Sequence, residues 1–154
     1  MWFALEKKEK DAGGRPVKLV SACLVGINCR FDGGNCACPK VLKIVNECNA
    51  AAACPELLAG FSVPRERMEL RGGRVFTESG KDVTEQARRG AEELLSAAKK
   101  LGVKEAILKA RSPSCGKGRI YDGSFSGKLV DGDGIVALLL MENGINVLTE
   151  DDIE

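Results

Sequence analysis

The chain predicts an α/β domain: a mostly parallel sheet with helices on both faces, a Rossmann-like three-layer arrangement, plus a short β-hairpin. Three observations carry this. Short apolar runs alternate with stretches of helical periodicity, as in successive strand–helix units. Met68–Leu70 and Val75–Thr77 flank Gly72-Gly73, the signature of a hairpin. The chain has 154 residues, 44% of them hydrophobic, which suits one domain with a substantial core.

In chain order, residues 1 to 16 read as an N-terminal extension. Trp2 and Phe3 offer an aromatic pair for docking on the domain or a second subunit, Glu6 to Asp11 is charged, and Gly13 to Pro16 is a linker. Residues 17 to 154 form the domain. Val17 to Ala22 is a buried strand, followed by a loop from Cys23 to Cys36 rich in glycine and asparagine. Pro39 suits a first helical turn and opens a helix to Glu47, with Val41, Leu42 and Val45 on one face. Ala50 to Ala53 is a short strand. Asp82-Val83-Thr84-Glu85 has the form of a capping box opening a helix to Lys100, with Val83, Ala87, Leu94, Ala98 and Leu101 at helical spacing. Glu105 to Ala110 is a strand, Asp133 to Glu142 a helix stopped by Asn143-Gly144, and Ile145 to Leu148 a final strand.

Composition narrows the chemistry. The net charge of +1 neither favours nor excludes nucleic acid. No apolar run is long enough to span a bilayer, and the charged start lacks a signal-peptide pattern, so a cytoplasmic protein is expected. Seven cysteines in such a chain are expected as free thiols for metal or catalysis rather than as disulfides. There is no histidine, which excludes Cys-His and Ser-His pairs and His-ligated zinc.

Cys23, Cys54 and Cys115 each lie past the carboxyl end of a different expected strand, where sheets of this type bind ligands. Ser112-Pro113-Ser114-Cys115-Gly116 breaks helix and strand alike and presents its thiol among hydroxyls and amides. Three convergent thiolates suit a soft or borderline metal. An iron–sulfur cubane held this way keeps one iron without a protein ligand. The same residues also read as buried thiols packed like small hydrophobes. Cys29 is a candidate fourth ligand or a neighbouring thiol. Cys29, Cys36, Cys38 and Cys48 offer a zinc-thiolate alternative.

The ordered run Ser21-Ala22-Cys23-Leu24, Cys29-Arg30-Phe31-Asp32-Gly33-Gly34-Asn35, Cys54-Pro55-Glu56, Pro64-Arg65, Asp82-Val83-Thr84, Ser112-Pro113-Ser114-Cys115-Gly116 and Ile120-Tyr121-Asp122-Gly123 resembles the thiouracil desulfidase family. The resemblance covers about residues 17 to 150. It implies an α/β fold and a 4Fe–4S cluster held by three cysteines that match Cys23, Cys54 and Cys115. It implies that sulfur of a thiolated pyrimidine, thiouracil or its nucleotide, is replaced by water without net redox change. A desulfidase needs a base for that water. Glu56 is the first choice, two residues from Cys54, though it also suits a helix N-terminus. Asp32 is the second, though before two glycines it also suits a turn. Ser112 and Ser114 are expected to donate hydrogen bonds to sulfides or substrate, or to cap backbone. Arg30, Asn35, Arg65, Lys109 and Tyr121 make up the expected substrate-binding set. Arg30 and Arg65 are forks for an anion, or partners of an acid such as Glu69, and Tyr121 is a stacking surface. The rival readings are a non-catalytic iron–sulfur or zinc protein and a desulfidase for thiolated tRNA, the latter disfavoured by the neutral charge. A monomer or small homo-oligomer is expected.

Overall fold

A computed structural model describes residues 2–5, as backbone alone, and 17–154. The charged run and the Gly13–Pro16 linker lie outside the described residues. The elements are β1 (Trp2–Leu5), β2 (Lys18–Ser21), a 3-10 turn (Ala22–Val25), α1 (Pro39–Glu47), β3 (Ala50–Ala53), α2 (Pro55–Leu58), β4 (Met68–Arg71) and β5 (Arg74–Thr77). They continue with α3 (Thr84–Lys100), β6 (Glu105–Leu108), β7 (Arg119–Tyr121), β8 (Leu129–Asp131), α4 (Ile135–Glu142), β9 (Asn146–Thr149) and a 3-10 turn (Glu150–Asp152).

The main sheet has the order β1-β3-β2-β6-β9. β3, β2, β6 and β9 are parallel, and β1 closes the edge antiparallel to β3, with Trp2 opposite Ala53 and Leu5 opposite Ala50. The alternation of side chains along each strand divides the core. Leu19, Ala106, Leu108 and Val147 face α3 and α4, where Ala91, Leu94, Ala98, Val136 and Leu140 meet them. Val20, Ala52 and Ile107 face α1, against Val41 and Val45. Each fully buried Leu, Ile or Val contributes roughly 1.5–3 kcal/mol, so both layers hold the sheet. The expected parallel sheet with helices on two faces is what forms.

Topology places the site. From β2 the chain crosses by α1 to β3 on one side, then by α3 to β6 on the other side of β2. The carboxyl ends of β2 and β6 therefore flank the point where strand order reverses. α2 sits close on α3 because Gly90 has no side chain: a Cβ there would stand 2.4 Å from the Pro55 carbonyl oxygen.

Several elements differ from the sequence expectation. The capping box does not form: Asp82 Oδ1 accepts from the Thr84 amide at 3.0 Å and the Thr84 hydroxyl at 2.6 Å, and the helix starts at Thr84. Glu85 pairs with Arg88 instead. Leu101 stands exposed past the end of α3. The antiparallel pair β7–β8 was not expected; it is anchored by Ile120, buried among Met68, Leu70 and Val75 of the β4–β5 hairpin.

Candidate active site

Four thiols line one cavity of about 420 Å³ at the carboxyl end of the sheet: Cys23, Cys29, Cys54 and Cys115. Cys23 lies in the 3-10 turn that follows β2, and Cys54 stands between β3 and the first residue of α2. The loop beyond Cys23 folds back on it, with the Cys36 amide donating to the Cys23 carbonyl and the Cys38 amide to that of Leu24, both at 2.9 Å. This return brings Cys29 beside Cys54, whose thiol lies 3.9 Å from the Cys29 carbonyl oxygen, and leaves Cys29 2% exposed.

Cys115 is held by a different device. The four leading amides of a helix lack intrahelical partners. In α4 those at Gly134, Ile135 and Val136 donate to the carbonyls of Gly116, Pro113 and Ser114 at 2.6, 3.1 and 2.8 Å. The Ser-Pro-Ser-Cys-Gly loop thus caps α4 with its own backbone. Gly134 allows the approach, since a Cβ there would lie 2.5 Å from the Ser114 carbonyl. Ser112 Oγ accepts the amides of Ser114 and Cys115, both at 3.1 Å. Ser21, Ser112 and Cys115 line the same cavity.

Burial and neighbouring groups keep Cys29, Cys54 and Cys115 protonated near neutral pH. Cys29 is pushed up to about 11, chiefly by its bond with Cys23, and Cys54 far above the thiol range, chiefly by its bond with Cys29. Cys115 is pushed up to about 12 by desolvation. Metal loading at such a site releases protons.

Glu56 lines the same cavity, and Arg65 holds it. Arg65 Nε lies 3.3 Å from Glu56 Oε1, and its other nitrogens donate to the carbonyls of Ser62 at 3.0 Å and Cys29 at 2.8 Å. The pair is nearly dry, at 7% and 16% side-chain exposure. Desolvation raises the Glu56 carboxyl above its ordinary value, partly offset by Arg65 and by a hydrogen bond from Ser114. Arg65 therefore pairs with Glu56 and not with Glu69, whose carboxylate accepts the amides of Gly123 and Phe125 at 3.1 Å.

Arg30, Lys109, Ser112 and Tyr121 also line the cavity. Arg30 donates to Cys36 Sγ and stacks over Phe31. Lys109 Nζ is bound by Glu150 at 2.6 Å, and the other oxygen of Glu150 takes the Ala110 amide at 2.7 Å. Three expected residues do not line it. Asp32 is exposed and caps the Gly34 amide at 2.9 Å, the turn role open to it from the start. Asn35 bonds Asn28 and the Ala37 amide within the same loop. Ser114 is buried outside the cavity lining. Residues that sequence reasoning missed are Ser21 and Glu150. Ser21 carried a signal, a hydroxyl ending an otherwise apolar strand; Glu150 carried none, since only the fold brings it to Lys109.

The zinc alternative loses its geometry. Cys29 turns into the cavity, Cys36 meets Arg30, and the Cys48 thiol donates to the Ile44 carbonyl at 3.1 Å. Among the described residues no group of three thiols or carboxylates is disposed around a single metal ion.

Comparison with known proteins follows the same line. Uncharacterized protein YbbK of Bacillus subtilis (strain 168) is 46% identical over 145 residues, covering 88% of this chain and 96% of that protein. The solved structure of the 4Fe–4S-dependent thiouracil desulfidase TudS superposes with a TM-score of 0.84 at 42% identity, covering 89% of this chain and 92% of that one. A family model described as 2-thiouracil desulfurase matches residues 19–152, and the chain belongs to that family.

Proposed function

We propose that this protein is a desulfidase that removes sulfur from a thiolated pyrimidine, thiouracil or its nucleoside or nucleotide, by hydrolysis, using a 4Fe–4S cluster held by Cys23, Cys54 and Cys115. The observation that supports this reading best is that these three thiols, remote in sequence, line one cavity at the reversal of strand order. The donor set fits the group: iron–sulfur clusters are held by thiolates, and the cavity walls supply thiols without any histidine. When bound through three cysteines, such a cluster supplies one iron free of protein ligands, a thiophilic Lewis acid.

The chain's own residues supply the rest. Glu56 takes the proton of the incoming water at the carboxylate that Arg65 holds in place, a general-base role. Tyr121 on β7 offers its ring to the pyrimidine, and Lys109, held by Glu150, puts a cation on the same wall. Asp32 and Asn35 stand outside the cavity and take no part in the chemistry proposed.

The test is anaerobic reconstitution followed by assay of sulfide release from 2-thiouracil, 4-thiouracil and their nucleotides. Sulfide from at least one of them supports the reading. An intact cluster that releases sulfide from none of them overturns it.

A further inference from the structure

We infer that Glu69 is a substrate-binding residue whose open carboxylate oxygen accepts the N3–H of the pyrimidine ring and so selects rings that carry that hydrogen. The inference rests on the desulfidase reading above and deepens it, by naming what the site reads on the ring.

Met68 and Leu70 of β4 turn to the core that buries Ile120, and alternation along the strand sends Glu69 to the other face. There it lines the cavity, yet it is only 6% exposed. One oxygen is committed: Oε1 accepts the amides of Gly123 and Phe125, both at 3.1 Å. Phe125 holds φ 56°, a left-handed value that non-glycine residues avoid, so this turn is braced against the carboxylate. The other oxygen, Oε2, has no hydrogen-bond or ion-pair partner among the described residues. No polar side-chain atom among those residues is both sealed from solvent and unpaired. Oε2 therefore opens on the cavity.

The cations that line the cavity have other partners. Arg65 is taken by Glu56, Arg67 by Glu78, Lys109 by Glu150 and Arg111 by Asp151, while Arg30 meets Cys36 and lies 3.6 Å from Asp32. A carboxylate oxygen accepts and cannot donate, and one held away from bulk water needs a donor. The ligand has to bring it. In 2-thiouracil and 4-thiouracil alike, N3 carries a hydrogen and stands between C2 and C4, next to the carbon that loses sulfur. An acceptor at N3 thus orients the reacting carbon in either isomer, and it repels a ring whose N3 presents a lone pair. Tyr121 lines the same cavity, so the face and the edge of the ring have separate partners.

The experiment measures sulfide release by the anaerobically reconstituted protein and by Glu69→Gln. The substrates are 2-thiouracil, 4-thiouracil and their nucleotides, each beside its 3-deaza analogue, in which C–H replaces N3–H at nearly unchanged shape. In the unaltered protein kcat/KM should be about 10- to 100-fold higher for the ring with N–H, as for a hydrogen bond to a charged group. Glutamine keeps the shape of the side chain. Its carbonyl oxygen stays on the Gly123 and Phe125 amides, and its NH2, a donor, turns to the cavity. Activity on the N–H ring should then fall and the preference shrink toward one. An equal fall with both rings, leaving the preference intact, marks a structural role and overturns the inference. Where Glu69→Gln does not fold, the unaltered protein decides, and equal kcat/KM for the two rings overturns it. Unaltered protein that holds an intact cluster and releases sulfide from none of the thiouracils overturns the desulfidase reading itself, so the two failures are told apart.

Discussion

Replacing Gly134 by alanine is expected to loosen the loop that presents Cys115. Gly134 has φ −65° and ψ 158°, which alanine adopts freely, so any effect comes from the new methyl group and not from backbone strain. That carbon would stand 2.5 Å from the Ser114 carbonyl carbon and oxygen and 2.9 Å from the Cys115 nitrogen. Comfortable carbon contacts begin near ~3.5 Å. The loop and α4 must separate by about 1 Å to relieve it, and the clashing atoms are backbone, which cannot swing aside. The separation strains the bonds from Gly134 to Gly116 at 2.6 Å and from Val136 to Ser114 at 2.8 Å. Each contributes about 0.5–1.5 kcal/mol net, and more where a buried partner is left unsatisfied. Lower chain entropy in the unfolded state returns roughly 0.4–1 kcal/mol. The balance is a loss of about 0.5–2.5 kcal/mol, or roughly 2–8 °C in Tm for a domain of this size. Circular dichroism melting of cluster-free protein and iron per chain after reconstitution measure it, and both should fall. A Gly134→Ala protein that melts with the parent and binds iron fully would show that this close approach does not hold the cysteine loop.

Three further outcomes follow from the geometry. Arg65→Ala removes the cation from a nearly dry carboxylate and a donor from the Cys29 carbonyl, and should cost about 3–5 kcal/mol in urea unfolding; a loss under about 1 kcal/mol would mean the pair is solvated. The Asp82 carboxyl is held down to about 2, first by the Thr84 hydroxyl and amide and then by Arg74. It therefore contributes stability that is fully present above its ordinary value near ~3.9 and is lost as pH falls through about 2. Asp82→Asn should flatten the fall in stability across that window, and unfolding curves of unchanged pH dependence would contradict the assignment. Asp32→Asn should leave sulfide release within about twofold of the parent, since Asp32 stands outside the cavity; a drop of about a hundredfold would return it to the chemistry.

The sheet and its helices were legible because they follow simple rules. α1 runs from Pro39 to Glu47 as its first-turn proline and apolar face require, and Ala50–Ala53 forms a strand because both of its faces are covered. The residues that escaped are fixed by tertiary contact. β7 and β8 are three residues each, too short for a periodic signal, and exist because Ile120 is buried against the β4–β5 hairpin. The capping box at Asp82 failed because the Thr84 hydroxyl and amide take the carboxylate first. At the site, that Cys23, Cys54 and Cys115 line one cavity was legible from their places past the ends of expected strands. The partner of Arg65 was not, because Glu56 and Glu69 are equally plausible in sequence and only the packing of α2 brings Glu56 to it. Asp32 and Asn35 sit in a motif beside Cys29, yet the turn that carries Cys29 inward points both of them away.

The most direct measurement is iron and acid-labile sulfide per chain after anaerobic reconstitution of the parent protein and of single serine replacements at Cys23, Cys29, Cys54 and Cys115. About four of each are expected in the parent and in Cys29→Ser, with loss in the other three. A cluster that survives replacement of Cys23, Cys54 or Cys115, or that disappears with Cys29, would contradict the ligand set on which the proposed function stands.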